Sequence, residues 1–347
     1  MNLINDRWIP IRRADGSTGK IAPWEITQGI HDEQKRIIAV ASPRPDFDGA
    51  LVQFLIGLLQ TACTPETEDV WWEWRETPPR LEKLQKFFNH FAPSFELEGG
   101  APRFMQDYQH TELTETSEIA ALLIETPGAN TLKDNKDHFI KRGKIKQLCP
   151  DCAATALFTL QLNAPSGGQG HRTGLRGGGP LTTLVLGETL WETCWLNVLI
   201  KPKYIRQDII SANNEADQRF PWLSSKRTGK DTYPGDIHPD QQFWAMPRRI
   251  LLVAEDLPQA EACDLCEQET SQIYRKFKTK NHGINYMGPY EHPLSPHYIK
   301  DNAPNPVHPQ PGGFGYRHWL GLVENSQGKT SERRPARVVN QFHAISR

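Results

Sequence analysis

The chain has 347 residues, with 40 Lys and Arg against 41 Asp and Glu and a formal net charge of −1. This length suffices for one large domain or two smaller ones, and the balanced charge excludes a globally basic nucleic-acid-binding protein. No apolar run approaches the ~18 residues of a membrane span, and MNLINDRWIP lacks a signal-peptide pattern. We therefore expect a cytoplasmic protein without a membrane partner, whose cysteines are reduced.

The first half of the chain predicts a hairpin followed by helices. RWIPIRR and DGSTGKI flank an Asp15-Gly16 turn and predict two strands. Helices are predicted where apolar residues are dense and where capping residues or prolines stand at the ends. These segments are DFDGALVQFLIGLLQTAC, PPRLEKLQKFFNHFAP, TSEIAALLIET and CAATALFTLQL.

The second half predicts a mixture of strands, one helix and long loops. GPLTTLVLGETLWETCWLNVLI predicts a short strand and a buried helix, and RRILLVAE and SQIYRKFKTK predict strands. Loops are predicted for residues 203–245 and for the Pro-, His- and Gly-rich residues 289–314, and RPARVVNQFHAI is rich in β-type residues. The predicted fold class is α+β, an irregular mixed globular domain with long loops, and long loops often carry function.

Two Cys-x-x-Cys pairs, Cys149 with Cys152 and Cys263 with Cys266, are separated by the 110 residues from 153 to 262. Four thiolates make a closed tetrahedral zinc site with no position for a catalytic water. We therefore predict a structural Zn²⁺ clip that joins residues 149–152 with 263–266. A redox pair is disfavoured because neither pair is predicted to follow a strand at a helix start. Two unrelated surface pairs are the other alternative, and Cys63 and Cys194 are predicted core residues.

The segment NAPSGGQGHRTGLRGGGP, residues 163–180, is the most glycine-dense part of the chain. Glycine allows close backbone approach to another molecule, and Arg172 and Arg176 would suit contact with a polyanion. The segment is not a P-loop and fits a dinucleotide fingerprint poorly. A flexible loop and a loop that contacts phosphate or a nucleic-acid groove both fit this pattern. Residues 133–146 and 275–280 are basic runs that could also bind phosphate.

A series of short motifs resembles the large subunit of the type I-E CRISPR surveillance complex, Cascade (the CasA family). In chain order they are DRWIP, RFMQD, GAN, LCPDCAATALF, NAPSGGQGHRTGLRGGGP, CDLC, HPLSPH and VVNQFHAI. The resemblance implies a non-catalytic subunit of an RNA-guided antiviral complex that recognises the protospacer-adjacent motif (PAM) of double-stranded target DNA and helps R-loop formation. The implied partners are the guide RNA 5′ end, target DNA, the other Cascade subunits and a helicase–nuclease.

The resemblance also implies residue roles, with the four cysteines as zinc ligands. The residues implied for DNA contact are Gly167, Gly168, Gln169, Gly170, Arg172, Lys278, Lys280 and Asn281. Within them, residues 167–170 match a glycine loop that approaches the PAM from the minor groove, and Gln169 stands where we expect another glycine. Lys280 is our choice for the family's minor-groove lysine. The residues implied for guide RNA or subunit contact are Asn130, Phe139, Lys141, Arg142 and Lys144.

The family's helical bundle would begin where this chain stops, at Arg347. We therefore expect residues 1–347 to form a single large N-terminal domain of the Cascade large subunit, without the C-terminal helical bundle. Two other functions stay open. One is a zinc-ribbon adaptor, and the other is a metal-dependent nuclease built on histidines of the tail. The nuclease residues would be Asn281, His282, His292, His297, Asp301, His308 and His318.

Overall fold

The computed structural model describes residues 1–138, 140, 143–205, 216–309, 312–313, 315–327 and 332–345. Within these ranges no helix combines the length and the apolar character needed to cross a membrane. The architecture is a mixed α/β fold of small sheets, short helices and long loops, as the mixture of predicted elements indicated.

The N-terminal sheet contains the predicted hairpin. Strand β1 (Ile9–Arg13) pairs antiparallel with β2 (Thr18–Ile21) on one side and with β3 (Ile37–Val40) on the other. The turn between β1 and β2 contains Gly16, whose φ of +85° lies in the left-handed region that glycine adopts without strain.

Two buried helices form the centre of the molecule. Helix α1 (Pro45–Ala62) and helix α5 (Pro150–Asn163) pack against each other, and nearly every residue of α5 is buried. The ring of Phe54 in α1 has the ring of Phe158 in α5 at 5.5 Å and that of Trp244 at 5.6 Å, both edge to face. Because such aromatic clusters are large and rigid, α5 is held in a fixed position with both of its ends near the surface.

A long antiparallel ribbon runs beside α5. It consists of β6 (Arg249–Ala262) and β7 (Glu269–Lys280), with β4 (Glu115–Glu118) as the third strand on the other edge of β7. The turn of the ribbon, residues 263–268, contains the second cysteine pair, and β7 ends at Lys280. The ribbon and α5 therefore both connect the cysteines to the glycine-rich segment.

The remaining elements are short. The other helices are α2 (Glu68–Glu76), α3 (Leu81–Asn89), α4 (Ala129–Lys133), α6 (Leu190–Trp195), α7 (Lys201–Tyr204), α8 (Ala216–Arg219), α9 (Tyr316–Val323) and α10 (Arg337–Ile345). The other strands are β5 (Asp231–Thr232), β8 (Asn285–Tyr286), β9 (His297–Lys300), β10 (Ala303–Pro306), β11 (Ser326–Gln327) and β12 (Glu332–Arg334).

Four sequence-based predictions of local structure were wrong. The helix predicted for TSEIAALLIET is strand β4 followed by a short 3-10 turn, because residues 115–118 hydrogen-bond to β7. The β-type ending is helix α10, whose residues Val338, Val339 and Ile345 are buried at helical spacing. The predicted loop 289–314 contains the β9–β10 hairpin. Residues 180–187, predicted as a strand, form none.

Candidate functional site

The four predicted cysteines converge on one point. Their Sγ atoms all lie within 4.8 Å of one another, and the Sγ atoms of Cys149 and Cys266 are 3.6 Å apart. A tetrahedral centre with metal–sulfur bonds of about 2.3 Å has sulfur–sulfur edges of about 3.8 Å. The donor set and its spacing thus fit a metal ion, and these cysteines could hold one.

Each cysteine pair is shaped by its local backbone. Cys149 is the N-cap of α5, and its Sγ accepts a hydrogen bond from the backbone N–H of Cys152 at 3.5 Å. In the second pair, the backbone N–H groups of Glu267 and Cys263 donate to the carbonyls of Cys263 and Gln268, and Glu267 has a φ of +61°. These tight turns direct both sulfurs of each pair to the same side.

Hydrogen bonds also join the two segments. The carboxylate of Asp264 accepts from the backbone N–H groups of Lys146 and Gln147 at 2.6 and 2.9 Å, and Leu148 forms a β-bridge with Tyr274. Helix α5 begins at Pro150, close to the helix start predicted at Cys152, and residues 143–149 form no strand before it. The first pair therefore does not follow a strand, as expected. A redox pair also explains only two sulfurs, whereas four converge.

The thiols of the second pair differ from the other thiols of the chain. Hydrogen bonds with Cys149 and Cys152 lower the pKa values of Cys263 and Cys266, that of Cys266 to about 7, whereas the pKa values of Cys149 and Cys152 are raised. The second pair therefore holds the thiolate character of the cluster near neutral pH. Burial raises the pKa of the isolated thiols Cys63 and Cys194 well above its ordinary value. Those two are inert core residues, as predicted.

At the other end of α5, the glycine loop (residues 164–170) docks on the segment that follows β7. The backbone N–H of His282 donates to the Gly170 carbonyl at 2.9 Å, and Nδ2 of Asn281 donates to the Gln169 carbonyl at 3.3 Å. A Cβ at Gly170 would lie 2.8 Å from Cβ of Asn281, so this docking requires glycine. The structure therefore brings the predicted loop and the predicted residue Asn281 together.

The tip of the loop is open. Gly168 has a φ of +94°, and no atom lies within 4 Å of the position that its Cβ would occupy. Gly167, Gly168 and Gln169 are all exposed. The base of the loop is thus fixed by Gly170, while its tip presents bare backbone and one amide side chain to the outside.

A groove of about 340 Å³ lies beside the loop and is lined by residues of the loop, of β7 and of the segment 117–128. Arg248 lies in its wall. The guanidinium of Arg248 donates to the Pro165 carbonyl at 2.5 Å and contacts Nδ1 of His171. Burial lowers its pKa to about 10, so it stays charged at neutral pH. Within the described ranges no carboxylate pairs with Arg248.

Helix α5 positions Arg248 directly. The buried Gln161, in the last turn of α5, donates to the Arg248 carbonyl at 2.9 Å and accepts from its N–H at 3.0 Å. Arg248 and His171 were missed by sequence reasoning. Arg248 is the first residue of the RRILLVAE strand motif, and this position is the sequence signal that could have identified it. In the structure the start of that strand lies beside the glycine loop.

Lysines of β7 continue the basic surface. Lys276, Lys278 and Lys280 are exposed and alternate with buried or half-buried residues, so they share one face of the strand. Lys280 lies 3.3 Å from Glu112, which also binds the buried Arg249 at 2.9 Å. Lys280, at the end of the strand, lines the groove and is partly neutralised, whereas Lys278 lies on the face of β7 opposite the groove-lining Phe277 and Thr279.

The two arginines of the glycine-rich segment differ. Arg172 is half-buried, and its Nε has no hydrogen-bond partner. Arg176 is buried and donates to Thr182, Ser295 and Gln53 at 2.9 to 3.1 Å. The prediction that Arg176 contacts a polyanion is therefore wrong, because its side chain ties the root of the segment to the core.

Two of the five predicted RNA-contacting residues lie within the described ranges. Asn130 belongs to helix α4, and Lys144 is exposed. Phe139, Lys141 and Arg142 lie outside the described residues.

The predicted nuclease histidines do not converge on a metal. His292 and His297 are buried, and burial lowers both pKa values, that of His297 to about 4. Across the part of the chain that the structure describes, the group of His, Cys, Asp and Glu residues suited to a metal ion is the four cysteines. His308 instead contacts the Gly178 carbonyl at 3.2 Å.

The fold and these sites define a mixed α/β protein that has a closed four-cysteine centre and a groove lined by arginine and lysine beside a glycine loop. The chain belongs to the family of the CRISPR-associated protein Cse1, whose family model matches residues 2–347. The resemblance to the type I-E Cascade large subunit, the CasA family, is thereby confirmed.

Solved structures share this fold at low sequence identity. Cse1 from Acidimicrobium ferrooxidans matches 100% of this chain and 65% of its own, with 16% identity and a TM-score of 0.68. CasA from Thermus thermophilus matches 99% of this chain and 64% of its own, with 17% identity and a TM-score of 0.69. A chain described as a CRISPR RNA-guided surveillance complex matches 98% of this chain and 68% of its own, with 15% identity and a TM-score of 0.65. The chain thus spans about 65% of the length of the Cse1 chain from Acidimicrobium ferrooxidans and a similar share of the CasA chain.

Proposed function

We propose that this chain is a non-catalytic subunit of a type I-E Cascade complex and that its glycine loop recognises the PAM of double-stranded target DNA. The observation that carries this proposal is the open tip of the loop beside a groove that contains Arg248. Bare backbone at Gly168 can approach the floor of the minor groove, which is only about 6 Å wide.

The charges around the loop support the same proposal. Arg248 and Lys280, which line the groove, and the exposed Lys278 of β7 can bind phosphates. Such contacts position a protein on DNA without reading its sequence. Gln169 is the side chain at the tip that can donate to, or accept from, a base edge. Sequence specificity for the rest of the target would come from guide RNA pairing, as in other RNA-guided complexes.

The four cysteines bind structural Zn²⁺ in this proposal. Four sulfur ligands complete the tetrahedron, so the metal supplies folding energy and no open position for a substrate. The residues that hold it are Cys149, Cys152, Cys263 and Cys266, which join α5 to the ribbon.

Residues 1–347 act, in this proposal, as the N-terminal domain of the large subunit. Asn130, Lys144 and the neighbouring Phe139, Lys141 and Arg142 contact the guide RNA 5′ end or an adjacent subunit. A helicase–nuclease joins after the R-loop forms. The surveillance-complex structure that shares this fold supports assembly with RNA and other subunits.

The test is a gel shift with the complex assembled from this chain, the other Cascade subunits and guide RNA. We expect Gly168→Asp to reduce binding to a PAM-bearing duplex by at least about tenfold, because the side chain and its charge hold the DNA away from the loop. Binding to a pre-opened target should fall much less, since guide pairing supplies most of that affinity.

Gly99→Asp is the matched control. Gly99 has a φ of +100° and open space around its Cβ position, as Gly168 has, so both substitutions impose similar backbone strain. Gly99→Asp should leave both affinities unchanged. Equal losses on duplex and pre-opened targets for Gly168→Asp would contradict PAM reading by this loop.

A further inference from the structure

A third segment of the chain reaches the cysteine centre. Lys20, on strand β2, donates from Nζ to Oδ2 of Asp151 and to Oε1 of Gln268. Asp151 lies between the two cysteines of the first pair, and Gln268 follows the second pair by two residues. One ammonium group therefore bridges both halves of the cysteine clip.

The charge of the centre gives this ammonium a role. A divalent metal held by four thiolates has a net charge of about −2, and the Asp151 carboxylate beside it is also negative. The Lys20 side chain is 33% exposed and that of Asp151 is 21% exposed, so water screens these charges less than at an open surface. A cation at this place lowers the electrostatic cost of assembling the thiolates.

The strand that carries Lys20 also lies beside the core. It forms one wall of a cavity of about 330 Å³ that is lined by Trp8 and Phe47 from the core and by Cys152 and Cys266 from the centre. Lys20 thus links the cysteine centre to the N-terminal sheet.

We propose that Lys20 is a positioning residue of the metal centre, which neutralises part of the tetrathiolate charge and fastens both cysteine turns to the N-terminal sheet. The inference rests on the proposal that the four cysteines bind zinc. Outer partners of metal ligands commonly change metal affinity by about 10- to 100-fold when they are removed.

The experiment measures zinc affinity of the full chain by competition with a chromophoric chelator. Lys20→Met should weaken zinc binding by about 10- to 100-fold, and Lys20→Arg, which retains the charge, should restore most of that loss. Lys35→Met is the control, because Lys35 is 73% exposed and pairs only with Asp32 among the described residues. Its zinc affinity should equal that of the wild type.

Asp151→Asn separates charge from simple bridging. Asn can still accept a hydrogen bond from Lys20, and it removes a negative charge beside the thiolates. We therefore expect its zinc affinity to be at least that of the wild type. A loss as large as that of Lys20→Met would show that the ion pair with Asp151 holds the site, and the proposed charge role would be wrong.

The second measurement compares the melting temperatures of the zinc-loaded and the metal-free chain. Lys20→Met should lower the melting temperature of the zinc-loaded chain by more than that of the metal-free chain. Equal shifts would assign Lys20 a purely structural role and overturn the inference. If the wild type itself binds no zinc, the zinc proposal fails; if it binds zinc and Lys20→Met binds it equally well, only the role of Lys20 fails.

Discussion

The two ends of helix α5 carry the two candidate sites, and they are built in opposite ways. At the N-terminal end, three of the four cysteines are buried, and the residues around them are joined to one another. At the C-terminal end, Gly170 is docked but Gly168 and Gln169 face outward. The comparison teaches that one helix packed in the core can carry a closed cysteine cluster at one end and an exposed loop at the other. The predictions below test this division between a closed end and an open end.

The largest expected effect is at the closed end. Cys149→Ser or Cys263→Ser should release close to one zinc per chain and strongly lower the melting temperature, because structural metal binding contributes directly to folding free energy. Zinc content and thermal melting measure this. Cys194→Ser is the control: it changes an isolated buried thiol and should retain zinc. Retention of zinc by Cys149→Ser would contradict the closed centre.

The second prediction concerns acid stability at the root of the glycine-rich segment. The buried His297 lies two residues after Ser295, which accepts a hydrogen bond from Arg176. Burial lowers the pKa of His297 to about 4, below its ordinary value of about 6.5. Between these pH values the unfolded chain binds more protons, so the free energy of unfolding falls as the pH falls. The loss contributed by this histidine should approach about 3 kcal/mol by about pH 4.

Urea unfolding at several pH values measures this effect. Because acid also protonates thiolates, the wild type must be compared with His297→Gln at the same zinc loading. The variant should show a shallower decline between about pH 6.5 and about pH 4. Parallel curves for the two proteins would mean that His297 does not titrate across unfolding.

The third prediction tests whether the basic run at residues 133–146 serves assembly rather than PAM choice. Replacement of Lys141, Arg142 and Lys144 by Ala should weaken incorporation of this chain into the complex. If each residue binds one RNA phosphate, the log–log dependence of affinity on salt should become shallower by about 2. Titration of the chain into the remaining complex at several salt concentrations measures it. An unchanged salt dependence, or a change in PAM preference, would contradict this role.

The smallest expected effect is at the loop tip. Gln169→Ala should reduce discrimination among PAM sequences by about 1–2 kcal/mol, since a good base contact contributes about 1–3 kcal/mol. Binding across a PAM library measures it, and Gln169→Gly, the residue expected from the family, is the matched comparison. Identical PAM profiles for Gln169→Ala and the wild type would show that the amide reads no base.

The convergence of the four cysteines and the central helix could be predicted from the sequence. Two Cys-x-x-Cys pairs supply a complete ligand set, and the apolar run after Cys152 identifies α5, because these signals lie within a few residues of each other. The same holds for the ribbon strands, whose composition is strongly β-type. The ordered motifs identified the family.

Only the tertiary structure decided the rest, because it depends on partners that are distant in the chain. Residues 115–118 form a strand because they pair with β7. Residues 337–345 form a helix because one face of that helix packs in the core. Sequence could not show that Arg176 is buried while Arg248 lines the groove, since both are arginines beside glycine or strand motifs. Nor could the sequence show that Lys20 contacts both cysteine turns. The sequence gives the charge of Lys20, but tertiary packing decides which residues that charge contacts.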